Sequence, residues 1–555
     1  MKSLFYTLVL LAVLVASVSF LSSLDKRRTQ GGVERSRGPI TLSRPPISLG
    51  IERVAYADTS AERLYVIGAE LLNLWHEREA AAVFEQAVAV DSTHHQSWLK
   101  LVECYANPLL SRFDDAKAAW RRAVETSPDP SDTTWMAGIK SLFLDRRYGD
   151  AADQLGGGSA TGRKERSYYL ALAQLSAGRL REAQDTVDRL LKGSDAGGRA
   201  AALSIRCRVA AGELDAASGE ARNLARTYAE EPYPYVLLSQ VEFLRGRTPE
   251  AIEFCNNALV IDSRYVAAIV ARANLYAAEQ EFEPARVSFE KLLLFEDPVL
   301  RAIAMEGIGF VDFLSGRFDD GVSAMDEAIR YAILGGAVGY GLSCATALVG
   351  YLCELGERDA AESIADRWIA GFGDVPVSLG RLRTEIMKGN LETARRMLVQ
   401  WRSSPDWTMW AGIMSVDYTE MVALAHIQAE EDQTAFQVLG EGAGVGGPGV
   451  VHTQTRAFLR GYTAFRSGAA EQAGAAFVES HRRGFGVEFP YHEDPVLYVE
   501  SLFYLAETRI ATGKETEALA HYQSFLDFWG DADWNIQAAD RAREKLAAEA
   551  EVPLP

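Results

Sequence analysis

Cysteine is scarce in this chain: five residues (Cys104, Cys207, Cys255, Cys344 and Cys353) are spread over 555 positions, and no two have CxxC spacing. That excludes a disulfide framework and a cysteine zinc site, and leaves the thiols as small buried hydrophobes. Positive charge is also in deficit. With 57 Lys and Arg against 76 Asp and Glu the formal charge is -19, which repels phosphate backbones and argues against nucleic acid as the partner. Neither GxSxG nor HExxH occurs, so the signatures of a serine-hydrolase elbow and a zinc peptidase helix are missing. Apolar residues, at 48%, are plentiful enough to build a large core.

Charge is absent altogether from Ser3 to Leu24. At a rise of about 1.5 Å per residue, this run spans the roughly 30 Å of a bilayer core and is longer than the apolar region of an export signal. Residues 1–24 are therefore read as an uncleaved membrane anchor, with Ser17-Val18-Ser19 as a weak cleavage alternative. Lys26, Arg27, Arg28, Arg35 and Arg37 follow it. By the positive-inside rule they favour a cytoplasmic body, whereas the two-residue tail before the run is the layout of an export signal, and both sides stay open. Residues 25–60, rich in Gly and Pro and without helical period, read as a flexible tether.

Beyond the tether a period appears. Gly178, Gly212 and Gly246 stand 34 residues apart, each followed five residues later by Ala183, Ala217 or Ala251. An apolar-periodic helix precedes each glycine and a second contains each alanine, so every unit predicts two antiparallel helices joined by a left-handed turn. The small-residue series Ala80, Ala116, Ala151, Ala183, Ala217, Ala251, Ala285, Gly321, Ala361, Ala394, Ala435, Ala473 and Ala518 counts about thirteen units. Small side chains are needed at this spacing because helices approach to about 8 Å only there.

In the clearest copy, Leu64, Ile67, Gly68, Leu71, Ala80, Phe84 and Ala87 occupy the bulky and small sites, with Ser92 closing it. Trp98, Leu101, Tyr105, Ala116, Trp120, Ala123 and Pro128 form the next. These residues resemble the tetratricopeptide repeat, and the likeness covers residues 61–530, although Arg272, Arg381 and Arg460 stand where the pattern has leucine. The resemblance implies an all-α, right-handed superhelical solenoid in which the first helix of each unit lines a concave groove for a peptide or another protein's helix. Residues 531–555, helical and charged on one face from about Trp534, are expected to cap the last hairpin.

Four other stretches bear on chemistry. GGGSATGRK (156–164) nearly spells a phosphate loop, but Arg163 and Lys164 replace the required Lys and Ser or Thr, and no strand precedes it. The loop GEGAGVGGPG has a GxGxxG arrangement at Gly442, Gly444 and Gly447, without the flanking strand. The cluster His481, Glu488, His492, Glu493 and Asp494 lies where the repeat step lengthens; it reads first as a solvated loop inserted between two hairpins, with a metal site, and an enzyme or sensor in the C-terminal third, as the alternative. The uncharged run 332–353 carries a GxxxG pair at Gly335 and Gly339; a second membrane span competes there with continued repeat register.

The leading reading is a membrane-tethered, non-catalytic scaffold without cofactor or metal, binding a protein or peptide. A second stripe on three consecutive first helices, with Tyr233, Gln240, Phe243, Asn274, Phe310 and Phe313, either lines the groove or packs against neighbouring first helices, and the sequence leaves both open. If the stripe is open, changing Phe310 and Phe313 together to alanine weakens partner capture and leaves melting unchanged. Ala251 is expected at a helix crossing and Ala277 away from one.

Overall fold

The computed structural model describes residues 60–107, 112–127, 133–157, 164–192, 197–369, 378–404, 418–441, 454–483 and 494–550. The anchor (1–24), nearly all of the tether (25–60), and most of the two glycine-rich loops and of the His481 to Asp494 cluster lie outside them. The described residues are helical, without strands. Helices follow one another in pairs: α1 (Ala61–Asn73) with α2 (Glu77–Val90), α3 (His95–Ala106) with α4 (Phe113–Glu125), α5 (Thr133–Phe143) with α6 (Tyr148–Gly156), α7 (Lys164–Ser176) with α8 (Leu180–Leu191), and α9 (Gly198–Ala210) with α10 (Leu214–Thr227). Next come α11 (Tyr233–Leu244) with α12 (Thr248–Ile261), α13 (Val266–Ala278) with α14 (Phe282–Leu293), α15 (Pro298–Leu314) with α16 (Phe318–Leu334), and α17 (Val338–Glu354) with α18 (Arg358–Ile364). The last are α19 (Ser378–Met387) with α20 (Leu391–Ser403), α21 (Tyr418–Gln428) with α22 (Asp432–Glu441), α23 (Gln454–Arg466) with α24 (Ala470–Arg483), and α25 (Pro495–Ala511) with α26 (Glu515–Trp529), closed by α27 (Gln537–Ala550). Nearly every helix packs on its predecessor, giving an all-α solenoid of hairpins.

One register runs through the stack. Every member of the small-residue series is the fourth residue of a second helix, and all of them are buried, the alanines to 0% exposure. Five residues earlier the backbone turns left-handed, at Gly178, Gly212, Gly246, Gly316, Gly356, Gly389, Gly468 and Gly513 and also at Trp75, Arg146, Gln280 and Glu430. In the turn at Gly246, the N–H of Gly246 donates to Phe243 (2.8 Å) and that of Arg247 to Glu242 (2.9 Å), satisfying carbonyls the helix end would leave orphaned. Gln280 adopts the same turn at φ 59°, a conformation that strains an L-residue by about 1–2 kcal/mol. Gln280→Gly is therefore expected to raise stability by up to about 1 kcal/mol after the entropy of the new glycine is subtracted, read as a higher urea midpoint. Gly246→Ala, whose new methyl meets nothing within 4 Å, should lower it through backbone strain alone. A lower midpoint for Gln280→Gly would mean that the glutamine side chain, not the backbone, sets the turn.

First-helix glycines make room for second-helix rings. A Cβ on Gly68 would lie 2.6 Å from the Phe84 ring, and one on Gly461 would lie 2.8 Å from Phe477. The ring packs over bare backbone, so neither glycine can take a side chain without displacing it.

The run 332–353 is not a span. It is divided between α16 and α17 by a turn at Gly336 (φ 78°), where the Ala337 N–H donates to Ala332 (2.9 Å) as in the turns inside hairpins. No helix among the described residues is long and apolar enough to cross a membrane. Ala277 differs from expectation too: it is as fully buried as Ala251, because the face it occupies is covered.

Candidate functional site

At Tyr233, on the first of the three helices that carry the stripe, the cover is the chain itself. Trp75, in the left-handed turn of the first hairpin, stacks on Tyr233 of α11 with ring centroids 4.8 Å apart and meets Tyr228 edge-on at 5.6 Å. It is 5% exposed, far more buried than a turn-tip side chain on an open hairpin would be. Two polar contacts flank it. His76 Nε2 pairs with Glu231 at 3.0 Å, and Arg78 forms an ion pair with Asp297, the carboxylate that caps α15 through the Val299 N–H at 2.8 Å.

The groove stripe is thus a second apolar face of the first helices, as its spacing predicts, but a covered one. Phe310 (2% exposed) and Phe313 (0%) belong to the core, Phe313 packing on Tyr351 at 5.1 Å and Phe318 at 6.0 Å. Phe243 packs against the same core, and Gln240 and Asn274 are half-buried. As exposed docking anchors, Phe310 and Phe313 are corrected: their rings are packed among neighbouring helices of one core, and residues more than 200 positions apart also meet in this fold, as Arg78 and Asp297 do.

The first helices of the N-terminal hairpins carry a charged network in place of the apolar stripe. Lys100 and Glu103 on α3, Glu165 and Tyr169 on α7 and Arg199 on α9 come together. Lys100 pairs with Glu165 and donates to the Tyr169 hydroxyl at 2.8 Å; Tyr169 donates to Glu103, and Arg199 pairs with Glu103 and lies over the Tyr168 ring at 4.6 Å. Two cations and two carboxylates balance. Burial by itself would raise the Glu103 carboxyl, but Arg199, Lys100 and the Tyr169 hydrogen bond outweigh it and hold it down at about 2. At Glu77, at the start of α2, burial outweighs a backbone hydrogen bond and the charge of Arg199 and pushes the carboxyl up to about 7. Half-buried Tyr65, Leu99, Tyr168 and Leu172 surround this floor.

A second network lies in the C-terminal hairpins. Glu354 of α17 pairs with Arg383 of α19, and Asp494 caps α25 by accepting from the Val496 N–H (3.0 Å) and the Leu497 N–H (3.1 Å). Gln454 exchanges two hydrogen bonds with the Asp494 backbone, at 2.7 and 2.9 Å. Burial raises both Glu354 and Asp494, and burial together with Asp494 pushes Glu500 up to about 8. The arrangement holds helices together by charge and hydrogen bonds.

His481, a member of the polar cluster in the sequence, stacks on Tyr498 at 4.0 Å and donates through Nδ1 to the Tyr498 carbonyl at 3.2 Å. Burial lowers it to about 4, so it is neutral and occupied in joining α24 to α25. Among the described residues, no group of three His, Cys, Asp or Glu is arranged to hold a metal. All five thiols are buried and free, with burial pushing Cys207 to about 11 and Cys255 to about 12. Sequence reasoning missed Trp75 and the Lys100–Glu103–Arg199 network. The available signal was a tryptophan at the position where most other repeats place glycine.

A tetratricopeptide-repeat family model matches residues 500–531, spanning α25 and α26. No curated protein sequence matches the chain. Among solved structures, yeast Tom70 is similar at 12% identity over 82% of this chain and 96% of that one, with a TM-score of 0.34. A tetratricopeptide repeat protein from Parabacteroides merdae is similar at 16% identity over 62% and 99%, with a TM-score of 0.28. The APC/C hetero-tetramer Cut9-Hcn1 is similar at 12% over 89% and 98%, with a TM-score of 0.29. Likeness at these scores carries no argument about what this chain binds.

Proposed function

We propose that this chain, a protein built of tetratricopeptide repeats, is a non-catalytic scaffold that docks another protein on the inner face of its N-terminal hairpins while its N-terminus holds it to a membrane. The observation that supports docking there is the partly exposed set Tyr65, Leu99, Tyr168 and Leu172 over a neutralised floor, in contrast to the covered stripe further on. Aromatic anchors beside buried, balanced charge suit an apolar segment of a partner whose backbone and polar groups find hydrogen bonds at the rim. Membrane attachment is supported by the uncharged run Ser3 to Leu24.

In-cell cross-linking followed by mass spectrometry tests the docking. Partner peptides should link to α1, α3 and α7, and Tyr65→Ala with Tyr168→Ala should reduce recovery at unchanged melting temperature. Links confined to the outer, second helices would refute this placement. For the anchor, the full-length chain should remain in membranes through alkaline carbonate washing, and a chain beginning near Asp58 should not. Full-length material in the carbonate supernatant, shortened at its N-terminus, would show a cleaved signal instead.

A further inference from the structure

Around the balanced floor of the N-terminal hairpins, acids outnumber bases. Lys100 and Arg199 are matched there by Glu103 and Glu165, and four further carboxylates approach from other elements: Glu62 on α1, Glu77 and Glu79 on α2, and Glu231 just before α11. The tyrosines between them feel that charge. Burial pushes the Tyr65 hydroxyl up to about 12, with Glu165, Glu62 and Glu103 adding to it against Lys100. Burial likewise raises Tyr265, just before α13, and Glu77, Glu79 and Glu231 add to it.

Two of the four extra carboxylates pair with histidine and two do not pair. Glu62, with a side chain 71% exposed, meets His94 at 3.1 Å, and Glu231 meets His76 at 3.0 Å. Glu77 and Glu79 form no ion pair among the described residues. Three arginines next to this set in sequence are committed elsewhere: Arg78 to Asp297, Arg166 to the Leu155 carbonyl at 3.0 Å, and Arg264 to the Phe295 ring at 4.7 Å. Even with exposed Arg63 counted, a face that leaves Tyr65, Tyr168 and Tyr265 partly open is short of positive charge. The tyrosines add an independent observation. Arg199 lies over the Tyr168 ring at 4.6 Å and Lys100 over the Tyr169 ring at 5.0 Å, so phenol rings of this floor already seat cations. No cation lies over Tyr65 or Tyr265 among the described residues. A ring face attracts a cation and a carboxylate beside it accepts the cation's N–H groups, and both kinds of group stand together here with the cation missing.

We propose that the partner segment docked on this face carries lysine or arginine among its apolar residues, the cationic heads being taken by Tyr65 with Glu62 and by Tyr265 with Glu77. The proposal rests on the scaffold reading above and names the chemistry of its partner. The balanced floor receives the apolar residues and the acidic rim the charge. A neutral or acidic segment would strip water from the rim carboxylates and return nothing for it, so the rim selects against such segments. A proton is linked to the docking. Glu77, faced by Arg199, Glu103, Glu79 and Tyr265, is partly protonated at neutral pH. A cation beside it favours the ionised form, so docking releases part of a proton and strengthens as pH rises through 7.

Fluorescence anisotropy on the full chain tests this with an acetylated, amidated decapeptide of alternating leucine and arginine as the probe. A second decapeptide with citrulline for every arginine keeps the shape without the charge. The arginine peptide should bind about tenfold or more tightly than the citrulline peptide, a preference that salt weakens. Glu62→Gln should cut it by roughly threefold, and Glu62→Gln with Glu77→Gln should remove most of it, at unchanged helical content. Glu62 is exposed enough that the single variant reports on binding even if the double one unfolds. Glu250→Gln with Glu253→Gln, exposed on α12, should leave the preference intact. Equal loss there would reveal unspecific attraction to a chain of charge -19 and overturn the seat. Calorimetry of the arginine peptide at pH 7 in phosphate and in Tris buffer should show proton release that disappears in Glu77→Gln; release that persists in this variant would remove Glu77 from the seat. Equal binding of the two peptides, including none by either, or a preference unmoved by the Glu62 and Glu77 variants, would overturn the proposal. Cross-links from the cellular partner to α1, α3 and α7 decide the docking reading separately, whichever peptide binds.

Discussion

Phe313→Ala should lower stability by about 3–5 kcal/mol and shift both thermal and urea midpoints of the intact chain. The ring is 0% exposed, contacts Tyr351 and Phe318, and is accommodated by Gly321, where a Cβ would stand 2.9 Å from it. Its carbonyl also receives the Trp529 indole, so a cavity here loosens α15, α17 and the end of α26 together. Phe243→Ala, on the same stripe two hairpins earlier, should cost less because that ring is only partly buried. Far-ultraviolet circular dichroism against urea distinguishes the two. Phe310→Ala with Phe313→Ala at an unchanged midpoint, together with weakened partner capture, would restore the rings to a docking role.

The register of this fold was legible in the sequence and its coiling was not, and the reason is local against distant information. The small residue five positions after a left-handed turn is fixed by contacts within one hairpin, so the series from Ala80 to Ala518 could be counted before any helix was placed. Even Gln280 and Glu430, where glycine is missing, were bridged by the alanines that follow them. The stripe through Tyr233 and Phe310 was equally visible as a pattern. Its cover was not, because a 3.6-residue period says that a face is apolar and says nothing about which segment lies on it. Trp75 over Tyr233 and Trp529 on Phe313 join positions 158 and 216 residues apart, by single side chains without a motif. The charged floor was hidden for the same reason: Lys100 and Glu103 look like one helix's solvent face until α7 and α9 arrive.

That floor gives the other large effect. Glu103→Gln keeps the shape of the side chain and removes the charge that balances Arg199 and helps balance Lys100, leaving buried cations short of a partner, and should cost about 3–5 kcal/mol. The pH dependence has a definite sign. Because the carboxyl is held at about 2 in the folded chain, below its unfolded range, its contribution is present in full above roughly pH 4.5 and is lost as pH falls through about 2. The wild-type chain should therefore lose this stability on acidification, and Glu103→Gln should show a flatter profile over the same interval. Replacing Lys100, Glu103, Glu165 and Arg199 together by apolar residues of similar length is a different experiment. Buried ion pairs are often dispensable for stability when well-packed hydrophobes take their place, so this variant should melt near the wild type. If it also captures the same cross-linked partner, the network serves packing alone. Lost capture at preserved melting would assign the charges to recognition, since a floor that is neutral in sum still offers fixed donors and acceptors that an apolar floor does not.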